Sequence, residues 1–60
     1  MSAVYNPQAD VMAEIERLEV EAREYRKRLE HATAEADQVV LRQQMEEITQ
    51  AIQRLQARLD

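Results

Sequence analysis

The stretch Val11-Met12-Ala13-Glu14-Ile15-Glu16-Arg17-Leu18-Glu19-Val20-Glu21-Ala22-Arg23-Glu24-Tyr25-Arg26-Lys27-Arg28-Leu29 places apolar residues at Val11, Ile15, Leu18, Ala22, Tyr25 and Leu29. Steps of four and three alternate along it, which keeps one face of an α-helix apolar as an a/d heptad seam. A second row, Leu41, Met45, Ile48, Ile52, Leu55 and Leu59, repeats the same steps. Reflection about Glu35 brings the rows together in six layers: Leu29 with Leu41, Tyr25 with Met45, Ala22 with Ile48, Leu18 with Ile52, Ile15 with Leu55, and Val11 with Leu59. Every layer pairs an a position with a d position, as an antiparallel helix pair requires. The pattern predicts an all-α, antiparallel two-helix hairpin of coiled-coil type.

The rows do not continue one another. Leu29 to Leu41 is twelve residues, where two whole heptads would be fourteen. Charge is also sorted as for two separate helix dipoles. Arg26, Lys27, Arg28 and His31 stand where a C-terminus falls, Glu35 and Asp37 where a new N-terminus begins, and Arg54 and Arg58 near the far end. Asn6-Pro7 is a helix start, with Asn as the cap and Pro at the position whose amide has no intrahelical partner. The expected boundaries are a tail over residues 1–6, helix 1 over about 7–31, a turn over about 32–37 with Thr33 and Asp37 as caps, and helix 2 over about 38–59. Val4 and Tyr5 are placed to dock on the end of the pair. The competing architecture is one continuous helix of ~80 Å, threaded through Leu29, Ala32, Ala36 and Val40, which would make a parallel coiled-coil spacer. Phase shift and charge sorting favour the hairpin.

At 60 residues the chain is one small domain. Chains of this size bury only about 60% of their unfolded surface and draw stability from disulfides, metals or partner chains. There is no Cys, so disulfides and thiolate metal sites are excluded. The absence of Gly, a single Pro and abundant Ala, Glu, Gln, Arg and Leu is the composition of long helices. No apolar run approaches the ~20 residues of a membrane span. Met1-Ser2-Ala3-Val4-Tyr5 has neither a basic nor an apolar signal region, which sets the expectation of a cytoplasmic protein without membrane contact. A lone hairpin covers each seam from one side only, whereas ordering each residue costs on the order of 1–2 kcal/mol in backbone entropy. Dimerisation into a four-helix bundle gives each seam a second neighbour, with Met12, Ala51 and Val40 widening the stripe. Along helix 1, Glu14, Glu19 and Glu21 border the first half of the seam and Arg26 and Arg28 the second, so antiparallel copies set acid against base.

No catalytic constellation can be assembled from these residues, and no cofactor or metal is expected. Di-metal helical bundles use inward Glu residues with Glu-x-x-His pairs. Here the single His31 follows Arg28, and neither row contains a carboxylate. Tyr25 reads as a seam residue whose ring packs and whose hydroxyl reaches solvent. Arg23, Arg26, Lys27 and Arg28 form the one basic cluster and the candidate RNA face. Glu24 and Glu30 lie within it, pairs such as Glu19–Arg23 and Glu24–Arg28 would neutralise it, and the net charge of −4 disfavours broad phosphate binding. Val20 stands opposite the seam where a charged residue is expected; with Tyr5, Met12 and Ala13 it marks the candidate partner face.

In length and heptad layout the chain resembles the small plasmid copy-number proteins that dimerise as helical hairpins, a likeness that implies binding to paired RNA loops. Its proportions are similar to those of small helical-hairpin co-chaperones of secretion systems. Hairpin phosphatases of response regulators carry a Ser-Gln-Glu-Leu-Asp run in the second helix, and Gln43-Gln44-Met45-Glu46-Glu47 has neither the Ser nor the Asp. No residue motif carries any of these likenesses, and none identifies a family. The sequence implies a non-enzymatic, homodimeric interaction module that serves another protein as adaptor, inhibitor or assembly partner, with an RNA-binding regulator as the alternative.

Overall fold

Asn6 opens the first helix. In the computed structural model, which describes residues 6–59, its side-chain oxygen accepts from the amides of Gln8 (3.1 Å) and Ala9 (3.3 Å), and Pro7 takes the first helical position. Two of the unpaired amides of the first turn are satisfied in this way, and Pro contributes none that needs a partner. Helix α1 spans Pro7–His31, with Asp10 in its first turn and Arg28 and His31 in its last, each of the sign that complements the helix dipole. It stops at Ala32, whose backbone is extended (φ −73°, ψ 124°) and whose amide donates to the Leu29 carbonyl. Val4 and Tyr5 lie outside the described residues.

Helix α2 spans Glu35–Ala57, and both of its ends differ from expectation. The turn is Ala32–Ala34 in place of 32–37, so the helix begins at Glu35 and not near residue 38. Neither Thr33 nor Asp37 caps it. The cap position is Ala34, which offers no side-chain acceptor. Two features account for the early start. Glu35 and Asp37 place carboxylates in the first turn against the positive end of the dipole. Gln38 reaches back across the turn, its side-chain amide donating to the Ala32 carbonyl at 3.0 Å. At the far end the helix closes at Ala57, and the amides of Arg58 and Leu59 donate to Leu55 and Gln56 in a tightened last turn. Leu59, the last residue of the second row, therefore sits just beyond the helix.

The two helices pack against each other as a hairpin, so the single continuous rod does not form. Register is visible in the grooves between them. Met12 and Ile15 lie with Gln56 and Leu59, Ala22 with Thr49 and Ile52, and Arg28 and Ala32 with Val40 and Leu41. Positions rise along α1 as they fall along α2, the order of an antiparallel pair. All twelve residues of the two apolar rows are buried or half-buried. Coverage is uneven, however. Val11, Ile15 and Leu18 retain 8–9% of their accessible surface, while α2 has no buried residue.

The molecule measures 55 × 21 × 11 Å, and its radius of gyration of 15.2 Å exceeds the roughly 10 Å of a compact domain this long. Its smallest dimension matches the width of one helix, about 10–12 Å with side chains. The hairpin is a single layer. Stable domains are built from at least two.

Supplying the missing cap at the turn is expected to stabilise the hairpin. Ala34→Asp should raise unfolding stability by about 1 kcal/mol, the usual worth of a side-chain N-cap. Gln38→Ala should lower it by about 1 kcal/mol, the net value of a typical hydrogen bond. Denaturant titrations at one fixed protein concentration measure both, and an unchanged midpoint in either variant would contradict this account of the turn.

Candidate interaction site

The side chains available for function lie on the outer surfaces, because the two rows are spent on packing. A helix turns by roughly 100° per residue, so residues flanking the seam of α1 fall on two opposite broad faces of the hairpin. On one face run Glu14, Arg17, Glu21, Glu24 and Arg28; on the other run Met12, Glu16, Glu19, Arg23 and Arg26. The chemistry of the two faces differs.

The first face carries a local ion network. Arg17 holds Glu14 through two hydrogen bonds, from Nη2 to Oε1 and from Nε to Oε2 (3.2 Å for the latter). Its Nη1 donates to Glu21 Oε1 at 2.9 Å. These are i,i+3 and i,i+4 contacts along one helix, where side chains become neighbours. The hydrogen bonds from Arg17 hold the Glu14 carboxyl below the ordinary glutamate range, aided by the Arg17 charge and opposed by slight desolvation. In return, Arg17 is pushed above the usual arginine value, first by its hydrogen bond to Glu14 and then by the Glu14 and Glu21 charges. One turn beyond, Lys27 pairs loosely with Glu24 at 3.9 Å, and the Arg28 guanidinium lies 5.3 Å from the centre of the Tyr25 ring, within cation–π range. The pairs Glu19–Arg23 and Glu24–Arg28 expected from spacing are absent: Glu24 takes Lys27, and Arg28 takes the aromatic face.

Next to the turn, the first face opens into a groove of about 560 Å³ between the helices. Ala32, Val40 and Leu41 line it, and Lys27, Arg28 and His31 share its walls with Glu24 and Asp37. On the second face, a groove of about 310 Å³ lies between Glu19, Ala22, Arg23, Arg26, Thr49 and Ile52. Another of about 190 Å³ lies between Met12, Ile15, Glu16, Glu19, Gln56 and Leu59.

The structure divides both candidate surfaces. Of the basic cluster, Arg23 and Arg26 line a groove of the second face, while Lys27 and Arg28 line the turn-end groove of the first. Four cations spread over six helical positions do not make one basic plane. Of the candidate partner residues, Met12 is 52% and Val20 49% exposed, and Ala13 is exposed as well. Met12 borders the second-face groove, whereas Val20 borders a separate hollow with Glu21, Glu24, Tyr25 and Arg28. Tyr5 lies outside the described residues. Two further exposed apolar residues, Val39 and Val40, stand in the first turns of α2. Val40 lines the turn-end groove. That groove is formed by residues from both helices, so a scan of either helix by itself does not reveal it.

Among the described residues no group of His, Cys, Asp or Glu is placed to hold a metal ion, and no helix is long and apolar enough to cross a membrane. No protein-family model, no curated protein and no solved structure matches this chain.

The Glu14–Arg17 contact can be checked by NMR titration of the side-chain carboxylates. Glu14 is expected to titrate below the ordinary glutamate range, and Arg17→Gln should return it to that range. Because the folded pKa is lowered, the contact adds stability at neutral pH and loses it as pH falls through the folded pKa. A Glu14 titration unchanged by Arg17→Gln would contradict the assignment.

Proposed function

We propose that this chain is a non-enzymatic protein–protein interaction module that works as a homodimeric four-helix bundle. The observation that supports this reading is the single layer itself. Two apolar rows run the length of the hairpin, yet only Val11, Ile15 and Leu18 reach the burial of a core and no residue of α2 does. Full burial of a large aliphatic side chain contributes ~1.5–3 kcal/mol, so half-covered rows forgo much of the stabilisation on which a chain this short depends. A second hairpin laid on the first turns one layer into two and encloses both rows.

The bundle then acts through its remaining outer surface, as adaptor, inhibitor or assembly partner of another protein. Val20 and Ala13 point away from the seam, where an apolar side chain has no packing role within the hairpin. A helix face of this kind is a common way for one protein to grip another. An RNA-binding role draws less support. The cations that would contact phosphate lie on two faces; Lys27 and Arg28 share their groove with Glu24 and Asp37, and Arg23 and Arg26 share theirs with Glu19.

Light scattering should give a mass near twice the 7.0 kDa of the chain, and the unfolding midpoint should rise with protein concentration. A mass of one chain with a concentration-independent midpoint would sink the dimer. For the outer surface, Val20→Glu should leave helicity and dimer mass unchanged while weakening capture of a protein partner from the native cell by at least tenfold. Retention of that partner by the variant would exclude Val20 from the contact.

A further inference from the structure

The two broad faces of the hairpin are not equally suited to receive a second copy. On the face that bears the Arg17 network, Glu14 and Glu21 are half-buried at the edge of the seam and already hold their counter-ion. Covering that face would desolvate a completed set of charges, a cost that attraction within the set does not recover. Among the described residues the opposite face carries no such completed network, and its floor is partly apolar. Glu19 borders both of its grooves, and Met12, Ile15, Ala22, Ile52 and Leu59 line one or the other.

Charge on this second face is divided along the helix. Glu16 and Glu19 border the end nearer the termini; Arg23 and Arg26 border the end nearer the turn. All four are exposed, and among the described residues none of them forms an ion pair. The division has a symmetry consequence. In an isologous interface each surface meets itself, so a patch must be its own complement. A helix that changes from acidic to basic about a midpoint meets that condition when it lies antiparallel to its copy. The midpoint of the four falls at position 21, and its neighbour Ala22 lines the groove of this face.

We propose that a second copy of this chain docks on the Met12/Ile15/Ala22/Ile52 face, with the two α1 helices antiparallel and crossing beside Ala22. Glu16 and Glu19 of one copy then run against Arg23 and Arg26 of the other, and the turns lie at opposite ends of the bundle. The inference rests on the homodimer proposed above and adds its face, its orientation and its crossing point. The face is large enough. Helices crossing beside Ala22 overlap over residues 11–31, about 31 Å at 1.5 Å per residue, and the hairpin is 21 Å wide. Together these offer on the order of 650 Å² per copy, within the roughly 600–1,000 Å² per partner of specific stable interfaces.

A charge-swap experiment tests the proposal on the full chain. Glu16→Arg with Glu19→Arg forms one variant, and Arg23→Glu with Arg26→Glu the other. Each alone should keep its helicity, because the four positions are exposed, but should self-associate at least tenfold more weakly at low salt, where like charges then face each other. Mixing the two should restore a one-to-one dimer of near wild-type affinity. In parallel, Ala22→Cys in this cysteine-free chain should oxidise to a covalent dimer, as its two copies meet at the crossing, whereas Val39→Cys should not. Wild-type dimers that tolerate both charge variants, or that fail to cross-link through position 22, would overturn the assigned face and crossing while leaving dimerisation intact. A wild-type chain that is monomeric throughout would overturn the dimer and the face together.

Discussion

Two helices lying side by side have no inside. A side chain between two cylinders touches one neighbour and keeps part of its surface in water, whatever its chemistry. Most features of this hairpin follow from that limit. The apolar rows are complete in sequence and aligned in space, yet they produce three buried residues on α1 and none on α2. No side chain among the described residues is fully enclosed. The rows are thus long enough to specify how the helices pair and too poorly covered to make the pair an ordinary domain. A second copy laid on the first would make up that geometric shortfall.

Electrostatics separates the two broad faces where hydrophobicity alone does not. On one, an arginine sits between two glutamates of its own helix and Lys27 sits beside Glu24, so the charges are answered locally. On the other, glutamates and arginines occupy successive stretches with no partner among the described residues. Exposed ion pairs contribute little to stability one at a time. Their arrangement decides orientation, because a wrong alignment puts like charges together. In the proposed bundle, packing would provide the strength and the charge pattern the direction.

The fold was legible in the sequence because its determinants are periodic. Alternating steps of four and three give the helices, the shortfall of two residues between Leu29 and Leu41 gives the break, and Asn6-Pro7 gives the start. The boundaries of the turn were less legible. Thr33 and Asp37 are good caps by residue type, but helix α2 begins between them at Glu35, because a glutamine four residues after Ala34 holds the turn from the far side. Such a bond depends on where the chain returns, which local preference does not encode. The outer surfaces were legible only in part. Spacing identified exposed Met12 and Val20, but their separation into different grooves depends on how α2 sits against α1. The basic residues are close in sequence and divided in space for the same reason.

The reversal itself is made without glycine. Ala32 and Ala34 are extended at φ −73° and −77°, and no described residue has a positive φ. Every backbone conformation in the turn is one that any ordinary residue adopts. Steric selection at these three positions is therefore weak, and the sequence there is free to drift. The bend is held by the Gln38 side chain from the far side and makes no demand for glycine at its own three positions. Substitution of Ala32, Thr33 or Ala34 by other non-glycine residues would leave the backbone path of the reversal open to the chain.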